Sequence, residues 1–220
     1  MVEADIPMNA GCLKPINIII PEGCMLKPVY PAAVIAGNTE TSQHVTNCLL
    51  MALGALANAP GTMNNLTYGN EHYQNYETVC GGAPAGHMNN GRGFVGASGV
   101  HVHMTNTRMT DPEVLEMRYP VVLEEFSIRK GSGGKGKFPG GDGCRRIMRF
   151  LEDMDCAILS SSRYNAPKGL AGGGDGEVGK TQIRRKDGTI DTLKHCDQTT
   201  VSAGDAVMLE TPAAGGYLPE

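Results

Sequence analysis

The densest set of chemically capable side chains lies in GVHVHMTNTRMTDPEVLE, residues 99–116. His101 and His103 flank Val102. In an extended segment residues i and i+2 point to one face, so both imidazoles could meet one ion or one substrate. A metal needs three or four ligands, and no third follows at a diagnostic spacing; Asp111 and Glu113 qualify only by proximity. The alternatives are substrate contact and a structural role in which the rings donate to backbone carbonyls. Asn106 and Arg108 add an amide and a guanidinium, groups that orient an amide or clamp a carboxylate. Arg108 could equally pair with Asp111 or Glu113. A second polar stretch, MNN at 63–65, brings Asn64 and Asn65 into a short loop, where asparagine also serves left-handed turns.

Two glycine loops imitate a nucleotide site. GDGEVGKT (174–181) matches the phosphate-loop pattern G-x-x-x-x-G-K-[ST], and GSGGKGKF (131–138) misses it only at the last position. The mechanism needs a helix leaving the loop, so that its free N–H groups and dipole face the phosphates. TQIRRKDGTI follows the first loop and FPGGDG the second, and neither begins a helix. Both read as turns, and the isolated chain is expected to bind Mg-ATP no better than about millimolar.

The elements that would position these residues are legible from periodicity. TSQHVTNCLLMALGALANAPG (41–61) predicts a helix over about 42–58 that buries Val45, Cys48, Leu49, Ala52, Leu53 and Leu56. Thr41 or Ser42 would cap it, and Pro60-Gly61 would end it. DPEVLEMR (111–118) predicts a short helix with Asp111 as cap and Pro112 at its first position. Before residue 38, PINIIIPEG and PAAVIAGN read as short β-like runs. From 121 onward the chain is β-rich, with strands expected in 121–130, 144–153, 156–163 and 205–211. A hairpin is expected in 180–193 around Asp187-Gly188. The fold class is α+β: residues 1–120 form a mixed part and 121–220 a β-rich part with long glycine-rich loops, continuous with the first.

Composition narrows the function classes. A net charge of −4 over 220 residues offers no basis for nucleic-acid or anionic-membrane binding. The longest apolar runs are too short for a bilayer, which needs about 20 residues. No basic and apolar leader is visible at the start, so a cytoplasmic location is expected. Seven cysteines without a C-x-x-C pair argue against a disulfide framework or structural zinc and for reduced, mostly buried thiols.

The order of larger motifs is more specific than any of these. NAGCLKPINIIIPEG, AAVIAGNTETSQ, GTMNNLTYGN, NYETVCGGAPAG and GASGVHVHMTNTRMTDPEVLEMRYPV are followed by RKGSGGKGKFPGGDGCRR, SSSRYNAPKGLAGG and VSAGDAVMLETPAAGGY. Together they resemble the C-terminal part of the hydantoinase B/5-oxoprolinase family, over essentially the whole chain. The resemblance implies ATP-dependent opening of cyclic amides, with ketone carboxylation among relatives. It implies an A-type ATPase partner that carries Mg-ATP and activates the ring carbonyl by phosphorylation. It also places a divalent metal in an N-terminal half of the B-type component not contained in this sequence. No cofactor or metal is then expected on these 220 residues, and activity from them alone is not expected. In this setting His101, His103, Asn106 and Arg108 are the expected polarising or orienting groups, and Asn64, Asn65 and Arg163 the expected substrate contacts. The alternatives are a non-catalytic assembly module of such a complex and a component of a ketone carboxylase.

Overall fold

The computed structural model describes residues 9–103, 105 and 107–220. Its elements in chain order are helix α1 (Ser42–Ala52), strands β1 (Asn65–Gly69), β2 (Gln74–Glu77), β3 (Gly86–His87) and β4 (Gly93–Phe94), and helix α2 (Pro112–Arg118). Strands β5 (Val121–Ile128), β6 (Cys144–Phe150), β7 (Met154–Leu159), β8 (Lys180–Arg184), β9 (Ile190–Leu193), β10 (Cys196–Val201) and β11 (Ala206–Glu210) follow. They form a four-stranded sheet β10-β7-β1-β2, a five-stranded sheet β5-β6-β11-β8-β9 and a ribbon β3-β4, with every pairing antiparallel. The chain is α+β. Because β1 pairs with β7, residues before and after position 120 share one sheet.

Strand alternation builds the core between the two large sheets. Leu66 and Tyr68 of β1 and Met154, Cys156 and Ile158 of β7 meet Met148, Phe150, Ile183, Val207 and Leu209 from the other sheet. Each such side chain removed from water contributes about 1.5–3 kcal/mol. Leu115 of α2 closes one end, and Tyr68 sets its edge against Phe150 at 5.3 Å between ring centres. Asp111 caps α2 as expected, its Oδ1 accepting from the Glu113 N–H at 3.0 Å. The core also holds a closed ion pair. Arg146 donates through Nε and Nη2 to the two carboxylate oxygens of Glu77 at 2.9 and 3.1 Å, with the side chains only 2% and 6% exposed.

The long glycine loops are ordered by their own backbones. Gly141 donates to Ala83 O at 2.9 Å and accepts from the Ala214 N–H at 3.0 Å, while Gly134 donates to the Ala214 carbonyl at 2.8 Å. At Gly82 a Cβ would overlap the Gly141 carbonyl, so only glycine allows this approach. The hairpin at Asp187-Gly188 forms, with Gly188 at φ +88°. Strand β8 begins at Lys180, and the glycine loop simply continues past Lys137, so neither phosphate-loop look-alike leads into a helix.

Four expectations need correction. The runs at 16–20 and 32–38 are not strands: among the described residues no strand precedes Asn65, and Ile18 and Ile19 stand 70% and 80% exposed. A β-branched run needs a partner edge to become a strand, and the described residues offer none there. Helical geometry begins at Ile35, passes through a π-helical turn at Gly37–Thr41 and stops at Ala52 rather than 58. Thr41 therefore caps nothing, and Ser42 Oγ bonds back to Asn38 O at 2.6 Å. The helix is also turned over. Its buried residues are Gln43 and Asn47, whereas Leu49 and Leu53 are each 60% exposed and Cys48 and Ala52 face outward. The neighbour of α1 is loop backbone at 59–65, whose peptide groups require polar partners, so amides turn inward. Finally, Cys48 and Cys196 are exposed; only Cys80, Cys144 and Cys156 of the seven free thiols are buried. Strand β10 was not foreseen, because the exposed residues in CDQTTV carry little apolar signal.

Candidate functional site

The inverted helix delivers polar side chains to one loop. The π-helical turn places Glu40 one turn before His44, and Asn47 follows, so the three share a face above residues 59–65. Glu40 Oε1 accepts from Thr62 Oγ1 at 2.9 Å, the Met63 N–H at 3.1 Å and Asn65 Nδ2 at 2.8 Å. Its Oε2 accepts from Ser161 Oγ at 2.6 Å. Burial pushes the Glu40 carboxyl above its ordinary range, and these donors pull against that shift.

Arg163 enters from the loop after β7. Its Nη1 donates to Ser161 O at 2.9 Å and its Nη2 to Asn64 Oδ1 at 3.0 Å, while the buried Nε has no partner among the described residues. Burial lowers the guanidinium to about 10, with Glu40 opposing the shift and the like charge of Arg129 adding to it. Asn64 is itself fixed, donating from Nδ2 to Val79 O at 2.9 Å. Asn65 is held by Tyr76, whose hydroxyl donates to Oδ1 at 2.6 Å. Gly179 packs against the guanidinium where any side chain would collide.

At the other end of the same loop, Asn47 clamps Ala59 by two bonds: Ala59 N–H to Oδ1 at 3.1 Å and Nδ2 to Ala59 O at 3.0 Å. That clamp fixes the amide orientation, so His103 Nε2, 2.8 Å from Asn47 Oδ1, is the donor. The ring is then the Nε2–H tautomer, with the lone pair on Nδ1. Burial lowers His103 below its ordinary value and keeps it neutral at pH 7. His44 lies against Gly61, which has φ +67° and no room for a Cβ beneath the ring. Ala59 and Asn65 are six residues apart, so the His103 and Arg163 ends of the loop are separated by at most about 20 Å of extended backbone.

Strain collects here too. Among the described residues five non-glycine positions have left-handed backbone, and Asn64, His103 and Ser162 are three of them. Such residues cost on the order of 1–3 kcal/mol and persist where surrounding bonds over-determine them.

The residues expected from sequence are thus distributed unevenly. Asn64, Asn65 and Arg163 meet in one network, and His103 joins it through Asn47 and the 59–65 loop. His101 is half-buried, its Nε2 lacks a partner among the described residues, and burial shifts it down as it does His103. Arg108 is exposed and pairs with neither Asp111 nor Glu113. Asn106 lies outside the described residues. Glu40, Asn47 and Ser161 were missed. Glu40 had one available signal, an acidic residue i, i+4 from His44 in a helix entry without basic neighbours.

Neither a metal nor a nucleotide fits this centre. Both Glu40 oxygens are occupied by donors, and among the described residues no group of three His, Cys, Asp or Glu side chains could hold a metal ion. Among them, also, no helix is long and apolar enough to cross a membrane. The hydantoinase B/oxoprolinase family profile matches residues 1–219. The chain belongs to that family. It is 44% identical over 217 residues to a 5-oxoprolinase of Dictyostelium discoideum, covering 99% of this chain and 17% of that protein. The B component of a D-/L-hydantoinase from a Pseudomonas species is 27% identical over 226 residues, covering 98% of this chain and 37% of that protein. This family member therefore spans well under half of these relatives. Among solved structures, nucleotide-free acetone carboxylase superposes with a TM-score of 0.61 at 17% identity, covering 74% of this chain and 26% of that one. That likeness shows a shared fold.

Proposed function

We propose that this chain is part of the B-type component of an ATP-dependent cyclic-amide hydrolase of the 5-oxoprolinase kind. It acts with an A-type ATPase partner and with further B-type sequence. The observation that carries the reading is the 44% identity to a 5-oxoprolinase across nearly all of the chain. Nucleotide and metal are assigned to those partners, since the described residues of this chain suit neither.

The contribution of this chain is a rigid polar wall. Opening an amide ring requires a water proton to be taken up as the carbonyl carbon becomes tetrahedral. His103, held in one tautomer by Asn47 and kept neutral by burial, offers Nδ1 as acceptor for that proton. Glu40 positions the wall: with Thr62, Asn65 and Ser161 it fixes the loop from which Asn64 and Arg163 project. The test is a complex of this chain with the A-type ATPase and the remaining B-type sequence, assayed for phosphate release dependent on L-5-oxoproline. His103→Ala should lower turnover by about 10-fold or more while the complex still assembles. The acid limb of the wild-type rate should lie below pH 6.5, because a lowered histidine stays unprotonated until then. A wild-type rate in assembled His103→Ala removes the histidine from the mechanism, and a complex inert toward every ring amide removes the function.

A second reading, a non-catalytic assembly module, is favoured by one observation. Residues 13–35 and the outer face of α1 expose Ile18, Ile19, Met25, Val29, Leu49 and Leu53. Turnover unaffected by every substitution in the wall, with assembly lost on Leu49→Lys or Leu53→Lys, would select it.

A further inference from the structure

We propose that Arg163 anchors a carboxylate carried by the ring substrate, so that the site selects cyclic amides bearing a carboxylate over the bare ring. The inference rests on the hydrolase reading and names the group that recognises part of its substrate.

The geometry behind it is a separation of opposite charges. Glu40 is the carboxylate whose field Arg163 feels, yet the two make no ion pair. Four donors fill Glu40, namely Thr62, the Met63 N–H, Asn65 and Ser161, and none of them is the guanidinium. The two acceptors on Arg163 are neutral, a peptide carbonyl and an amide oxygen. Ser161 stands between the charges, giving its hydroxyl to Glu40 and its carbonyl to Arg163. A buried guanidinium would ordinarily take a bidentate carboxylate, as Arg146 does with Glu77 in the same molecule. Here the fork is held in place from behind, and its buried Nε–H has no acceptor among the described residues. Gly179 keeps the guanidinium free of a covering side chain, and Arg163 itself remains partly exposed. Arg129 adds a second positive charge to the surroundings. A ligand carboxylate completes the pairing that the protein withholds, and the donors around Glu40 disperse the one nearby negative charge.

The probes are L-5-oxoproline and 2-pyrrolidinone, the same five-membered lactam with and without a carboxylate. Calorimetry on the assembled complex without ATP reads binding, and ring opening with ATP is measured separately. Arg163→Met should weaken L-5-oxoproline binding by about 30-fold, leave 2-pyrrolidinone within about 2-fold, and raise KM for the carboxylate-bearing ring more than it lowers kcat. Arg163→Lys, which keeps the charge and loses the fork, should fall between and serves if the methionine variant does not fold. Equal weakening of both rings, unchanged L-5-oxoproline binding in either folded variant, or no L-5-oxoproline binding by the wild type would each overturn the anchor. Binding that depends on Arg163 in a complex that opens no ring would retain the anchor and discard the hydrolase.

Discussion

Two arginines of this chain bury their guanidinium groups and meet opposite fates. Arg146 closes a two-bond pair with Glu77 inside the sheet core, with Phe126 over its guanidinium at 5.5 Å. Arg163 senses Glu40 and is kept from it by a serine, two asparagines and a threonine. The first arrangement commits both charges to each other and leaves nothing for a ligand. The second surrounds each charge with neutral groups, so a guanidinium remains available at the end of a strained loop. Electrostatic satisfaction marks structure, and its incompleteness marks a candidate for recognition.

Breaking the closed pair should have the largest effect. Arg146→Met leaves Glu77 buried and uncompensated, and should cost about 3–5 kcal/mol of unfolding free energy in urea titrations. The rate per folded complex should be retained. A variant that loses activity without losing stability would erase the contrast between the two arginines.

Glu40→Gln should cost less, about 1–3 kcal/mol, because one amide oxygen must replace two acceptors facing four donors. Its pH dependence sharpens the comparison. Burial raises the Glu40 carboxyl above 4.5, so the stability tied to its protonated form is present at low pH and lost as pH rises through the folded value. Glutamine cannot ionise and escapes that loss. The deficit of the variant, read from denaturant midpoints, should therefore shrink as pH increases above 4.5. A deficit that grows instead would show the carboxylate to be stabilised, as in the Arg146 pair.

Arg108→Ala should do least, within about 0.5 kcal/mol in stability, since the side chain is exposed and pairs with neither nearby carboxylate. A rate loss in the assembled complex at unchanged melting temperature would mean that a partner chain brings the substrate to it.

The strands were legible because their periodicity is enforced by the core: Met148, Phe150, Val207 and Leu209 turn inward as the pattern implies. Asp111 and Asp187-Gly188 were legible because capping and tight turns are local chemistry. Helix α1 misled for the opposite reason. Its apolar rhythm is real, but the loop packed against it demands hydrogen bonds, and a periodicity cannot report what lies across an interface. The candidate site was half readable. Asn64, Asn65 and Arg163 stood out by type, whereas Glu40 and Ser161 meet across 121 positions of sequence and acquire meaning only when the chain folds.

The glycine loops that interlock around Gly82, Gly134, Gly141 and Ala214 reverse the usual geography of mutational tolerance. In most domains insertions and side-chain changes accumulate in connections while strands are held constant. Here peptide planes of separate connections touch directly, so a single methyl group at Gly82 or Gly141 has nowhere to go. Their amides should exchange with deuterium as slowly as those of the sheets. Such loops behave as a third layer of the molecule, and sequence drift is steered onto the exposed faces of its strands.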